Sequence, residues 1–143
     1  MLTDFKKIFI DTTPFIYFFT MDSVLHNKTE EIFKAIIKSD CDIVTSTVTC
    51  AEYLVYPYRN NNFLQVESFW GFLEDAGIVT HNIDKAVASK TAQIRAEYKY
   101  FKAFDCMQLA VACIKKCDLF LTNDRQLKQF KEISCVMIED WNF

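Results

Sequence analysis

Only two glycines and two prolines occur in 143 residues. That scarcity excludes a flexible linker or a low-complexity segment, and no internal repeat is visible either. A P-loop or a dinucleotide fingerprint needs clustered glycines so that backbone amides can approach a phosphate. Gly71 and Gly77 cannot supply that cluster. Histidine is equally sparse. His26 and His81 stand alone, without a partner at helical spacing, so neither a histidine metal pair nor a Ser-His-Asp arrangement is expected. The six cysteines contain no C-x-x-C pair and sit mostly in apolar stretches such as "LAVACIKKC", which points to buried thiols in a reducing compartment. No apolar run approaches the roughly 18 residues of a membrane span, and Asp11 and Pro14 interrupt the one that follows Lys6-Lys7. A soluble, cytoplasmic chain is the expectation.

What is abundant is apolar and aromatic. Hydrophobic residues make up 51% of the chain, 14 of them Phe, enough for a folded core and too many for disorder. The length fits one domain over 1–143, burying roughly two-thirds of its unfolded surface.

Strand-like and helix-like stretches alternate. "KIFI" (7–10) is a continuous apolar run of the kind covered on both faces. Residues 23–40 place Ile32, Phe33, Ile36 and Ile37 on one helical face. "DIVTST" (42–47) reads as a second strand leading into a helix that Pro57 ends. Residues 62–77 form a helix closed by Gly77, and 78–83 a short strand. From Asp84, the spacing of Val87, Ile94, Tyr98 and Phe101 is helical. Residues 104–117 are another helix, "DLFLTND" (118–124) a strand, and "SCVMI" (134–138) the last strand. Such alternation predicts an α/β fold of three layers, α/β/α, around a central, mostly parallel sheet. In such sheets functional groups collect beyond the carboxyl ends of the strands.

Four acids stand out, each with two readings. Asp11, at the end of "KIFI", either caps a helix starting at Thr12 or serves a site. Asp124, after "FLTN", has the same choice with the last helix. Asp105 opens a helix among apolar neighbours, as a cap or a partner of the positive helix end. Glu52 completes a capping box with Thr49, unless the helix begins at Ser46. That start would leave Glu52 nearly two turns inside, where no amide is free. Taken together, two strand ends and two following helices converge on one rim. Carboxylates crowded there repel unless cations neutralise them, and Mg²⁺ or Mn²⁺ with oxygen ligands does so. Thr12, Thr13, Ser46 and Thr122 offer hydroxyls beside them.

In this order, "FIDTTPFIYFF", "TSTVTCAEYL", "FDCMQLAVAC" and "LFLTNDRQL" resemble the PIN domain superfamily, and within it VapC-type toxin ribonucleases, from about residue 7 to about 138. The resemblance implies a Mg²⁺- or Mn²⁺-dependent endonuclease of single-stranded RNA, usually a homodimer, restrained by an antitoxin whose tail enters the active site. It implies a catalytic and metal-binding quartet of Asp11, Glu52, Asp105 and Asp124, with a supporting hydroxyl on Thr13 or Ser46. Members often carry Asn or Ser where this chain has Thr13. A catalytically silent PIN-like scaffold that binds RNA or protein is the alternative. A phosphatase of the haloacid-dehalogenase type would want a second Asp at position 13.

The formal net charge of −3 argues against phosphate binding at first sight. Setting the four acids aside turns it into +1. Lys and Arg residues flank Asp105 and Asp124, and Arg95, Lys102 and Arg125 are the candidates for holding RNA.

Overall fold

The computed structural model describes residues 4–143. Its centre is a five-stranded sheet in the order β3-β2-β1-β4-β5, built from β1 (Lys7–Ile10), β2 (Asp42–Ser46), β3 (Ile78–His81), β4 (Leu119–Thr122) and β5 (Ser134–Met137). Every pairing is parallel. The helices are α1 (Thr12–Phe19), α2 (His26–Lys38), α3 (Thr47–Tyr53), α4 (Val55–Arg59), α5 (Phe63–Asp75), α6 (Lys85–Glu97) and α7 (Ala103–Ile114), followed by a 3₁₀ helix over Arg125–Gln129.

Alternation along the strands divides the core in two. Ile8 and Ile10 of β1 and Leu119 and Leu121 of β4 face one layer, with Phe15, Phe33, Tyr53 and Phe69 from α1, α2, α3 and α5. Phe9 and Phe120 face the other, with Val87, Ile94, Leu109 and Leu127 from α6, α7 and the 3₁₀ helix. The Phe9 and Phe120 rings stack at 5.0 Å, 2° from parallel. Both faces of β1 and β4 are thus covered, the reason these strands read as unbroken apolar runs. The chain runs outward from β1 through β2 to β3, then returns to the opposite side of β1 with β4. The β1/β4 boundary is therefore the switch point of the sheet, where a crevice opens beyond the strand ends.

The elements follow the sequence reading with four corrections. Pro57 does not end the helix after β2. The helix breaks at Leu54, and Pro57, itself buried, falls in the first turn of α4, where a missing N–H costs nothing. Ile37 is 40% exposed, because α2 buries Thr29, Ile32, Phe33 and Ile36 and leaves the next position at the edge of that face. α6 stops at Glu97, so Tyr98 and Phe101 pack on the core from the following loop. The last helix is 3₁₀. Gly77 does close α5: its φ of +69° is a left-handed position, and its N–H reaches the Glu74 carbonyl at 3.1 Å. Cys50, Cys106 and Cys117 are buried, unbridged thiols. Among the described residues, no helix is long and apolar enough to cross a membrane.

Candidate active site

Asp11 directly follows β1, and its backbone N–H continues the ladder by donating to the Leu121 carbonyl at 2.9 Å. Only 5% of the residue is exposed. Its Oδ1 accepts from the Thr12 N–H at 2.8 Å and from Gln108 Nε2 at 3.3 Å, while Oδ2 accepts from the Thr122 hydroxyl at 2.8 Å. Burial pushes its pKa up to about 6 and the nearby charge of Glu52 adds to this, while those three hydrogen bonds pull it back.

Asp124 lies beyond β4. Its Oδ1 accepts from the Gln126 N–H at 3.0 Å, and its own N–H donates to the Thr122 hydroxyl at 3.2 Å. Thr122 therefore bridges the two strand ends. Ser46 caps α3 through the Val48 N–H, at 3.1 Å. With the helix starting there, Glu52 is free of capping and its Oε1 accepts from the Thr12 hydroxyl at 2.8 Å. Asp105 sits in the first turn of α7. Its pKa is pushed up to about 7, chiefly by burial, then by the charges of Asp11, Asp124 and Glu52, with Lys102 opposing.

All four carboxylates line one cavity of about 310 Å³, together with Thr12, Thr13, Ile16 and Lys102. Capping and convergence turn out to be compatible. Asp11 and Asp124 each cap with one oxygen and keep the carboxylate at the rim. Thr13 lines the cavity, whereas Ser46 is fully buried behind it and donates to Gln108 Oε1. The hydroxyl on Glu52 belongs to Thr12. Lys102 is at the cavity, but Arg95 is not among its lining residues. Arg125 is engaged elsewhere, with Glu139 at 2.8 Å and Asp140 at 3.2 Å.

Gln108 is the residue that the sequence reading passed over. It is fully buried. Besides accepting from Ser46, it donates to Thr49 Oγ1 at 2.6 Å, to Thr12 Oγ1 at 3.3 Å and to Asp11. It stands one helical turn after Asp105, and an amide inside the apolar run "MQLAVA" needs partners of its own. That mismatch was the available signal.

Two larger hollows lie nearby. One of about 600 Å³, beside α3 and α4, is lined by Cys50, Ala51, Leu54, Val55, Tyr58 and Arg59, and brings no carboxylate to it. The other, about 500 Å³, shares Ile16 and Glu52 with the carboxylate cavity and continues along Phe19, Met21, Tyr53 and Tyr56. The smaller cavity is the one with chemistry. Among the described residues no three His, Cys, Asp or Glu side chains close around a bare ion. Four carboxylates with hydroxyl neighbours nevertheless make an all-oxygen donor set, suited to a hard cation that retains part of its water.

The fold has clear counterparts among solved structures. A toxin–antitoxin complex from Klebsiella pneumoniae superposes with a TM-score of 0.72 at 19% identity, over 92% of this chain and 97% of that one. VapBC2 from Rickettsia felis, bound to a promoter DNA fragment, gives 0.76 at 13% identity over 95% and 99%. The sarcin-ricin loop cleaving toxin VapC20 from Mycobacterium tuberculosis gives 0.68 at 13% identity over 89% and 98%. No curated protein matches the chain in sequence. The PIN domain family model matches residues 8–133, an interval that holds most of β1, all of β2, β3 and β4, and every carboxylate of the cavity. The chain belongs to the PIN domain family.

Proposed function

We propose that the protein is a divalent-metal-dependent endoribonuclease that hydrolyses phosphodiester bonds of single-stranded RNA, working as one PIN unit in the cytoplasm. The observation that carries this reading is the convergence of Asp11, Glu52, Asp105 and Asp124 on one cavity beside Lys102. Two of these acids have raised pKa values, so the cavity favours either protons or cations.

Asp11, Asp105 and Asp124 are the residues that would hold Mg²⁺ or Mn²⁺, with Glu52 completing the set. When bound, the ion supplies an acidified water and neutralises charge developing on the phosphate. The chain's own residues do the remaining work. Thr12, Thr122 and Gln108 fix the Asp11 carboxylate in one orientation. The Thr12 hydroxyl holds one oxygen of Glu52, leaving the other to take the proton of the attacking water. Lys102, at the mouth, meets the incoming phosphate. Thr13 adds a hydroxyl to the lining.

The relatives supply the biological setting. Several are toxin–antitoxin pairs, and one toxin cleaves the sarcin-ricin loop. Here a cognate antitoxin would lay a segment in the 500 Å³ hollow, which runs into the carboxylate cavity through Ile16 and Glu52. Val55, Tyr56 and Tyr58 of α4 and Phe63, Leu64 and Trp70 of α5 are all exposed. So many outward apolar side chains on neighbouring helices suit a homodimer.

The test is cleavage of a mixed pool of single-stranded RNA with Mg²⁺ or Mn²⁺. Chelation, Asp11→Asn and Asp105→Asn should each abolish cutting. Cutting that survives all three refutes the assignment. RNA binding without any cutting would replace it with a silent scaffold.

A further inference from the structure

We infer that Tyr100 and Phe104 form a stacking platform for nucleobases of the RNA strand whose phosphate enters the carboxylate cavity. This rests on the proposed function and deepens it by naming where the substrate's bases are held.

The segment "YKYFKAF" (98–104) runs from the end of α6 into the first turn of α7. It carries four aromatic rings and two lysines and no acid. The rings divide by direction. Tyr98 and Phe101 turn inward: they stack at 4.7 Å and 10°, and Tyr98 also meets Phe130 at 5.3 Å. The backbone is tied down as well, since the Phe101 N–H donates to the Tyr98 carbonyl at 3.1 Å and the Lys131 N–H to the Tyr98 hydroxyl at 3.2 Å. Tyr100 and Phe104 turn outward, 87% and 52% exposed. Neither belongs to either core cluster. Tyr100 is held out on this anchored loop and Phe104 on the first turn of α7, so a stacking partner loses little to ordering them.

Position and charge select the partner. Phe104 directly precedes Asp105, and Lys102, between the two outward rings, lines the carboxylate cavity. Two residues span at most about 7 Å of extended chain, so the Tyr100 backbone lies no farther than that from the backbone of Lys102. A recess of about 170 Å³ lined by Glu97, Tyr98, Lys99, Tyr100, Phe101 and Gln129 opens beside it. This is too small for a helix of another protein, whose diameter is about 10–12 Å. A protein interface would also want these rings without interleaved lysines. Rings alternating with cations along a groove are the arrangement that binds single strands, with bases on the π-faces and phosphates on the ammonium groups. Stacking accepts any base, so the platform grips the strand without reading its sequence.

The experiment measures fluorescence anisotropy of a labelled single-stranded RNA decamer with the full chain, Ca²⁺ replacing the activating ion. Tyr100→Ala and Phe104→Ala should each weaken binding by roughly five- to 150-fold, the range for losing one stacked base. Tyr100→Phe should bind within about twofold of wild type, because the ring and not the hydroxyl is used. An abasic substitution in the RNA should reproduce the Tyr100→Ala loss and add little to it. Equal affinity of Tyr100→Ala and wild type overturns the platform. So does a change in oligomer size with RNA affinity unchanged, which would mark the rings as a protein interface. If wild type binds no RNA, the proposed function falls and the platform with it. If wild type binds and the variants bind alike, only the platform falls.

Discussion

Asp11→Asn is the substitution with the sharpest expected outcome, because its effect on stability has the opposite sign to that of an ordinary cap. Asp11 is almost fully buried, and its pKa rises from 3.8 to about 6. The folded chain therefore holds this proton more tightly than the unfolded chain. Below pH 3.8 the side chain is neutral in both states and costs nothing. As pH climbs through the folded value of about 6, stability is lost. A shift of about two units corresponds to about 3 kcal/mol, fully lost by about pH 8. Asparagine keeps the shape and one acceptor oxygen for the Thr12 N–H, and its amide can donate to Thr122, whose hydroxyl also accepts the Asp124 N–H. The charge-assisted part of those bonds is forfeited, roughly 1 kcal/mol. In chelator, Asp11→Asn should be more stable than wild type by about 1–2 kcal/mol at about pH 8, with the advantage gone near pH 4. Urea midpoints at constant m-value read this difference. Adding Mn²⁺ should reverse the order by stabilising only wild type. A variant weaker by more than about 1 kcal/mol in chelator at every pH would mean that cap loss governs, and the charge-burial argument would be wrong.

Three further outcomes are expected. Gln108→Leu removes the buried acceptor of the Ser46 hydroxyl and one donor to Thr49, which keeps Thr45, and the orphaned Ser46 hydroxyl costs roughly 1–3 kcal/mol in thermal unfolding. No loss would mean that the two hydroxyls repair the network themselves. Asp84→Ala removes a cap whose carboxylate accepts from the Val87 N–H at 2.9 Å and does not line the cavity. It should cost about 1 kcal/mol and leave RNA cleavage rates unchanged. Lys102→Ala should raise the KM for RNA, while Arg125→Ala, whose charge Glu139 and Asp140 already hold, should leave it near wild type. The reverse ranking in steady-state cleavage would contradict the placement of the two cations.

The residues that a single sequence shows well are those whose environment is local. "KIFI" and "LFLT" read as buried strands because both faces of each are covered, and Asp11 and Asp124 stand out because each breaks such a run. The choice between cap and site was unanswerable at that level for a simple reason. A carboxylate has two oxygens, and Asp11 uses one on the Thr12 amide and the other on Thr122. Arg125 shows the opposite failure. Its partners Glu139 and Asp140 follow β5, and they reach it only because β5 pairs with β4. Gln108 is similar: its partners Asp11, Thr12, Ser46 and Thr49 come from the start of α1, the end of β2 and α3, which no local pattern connects to α7.

The Thr122 hydroxyl and the Asp11 carboxylate meet across 111 positions of chain, on two strands that become neighbours only when β4 slides in beside β1. Translation makes β1 early and β4 near the end. A growing polypeptide thus carries its first acid long before the fourth exists, and every prematurely terminated product that stops short of β4 lacks the assembled cavity.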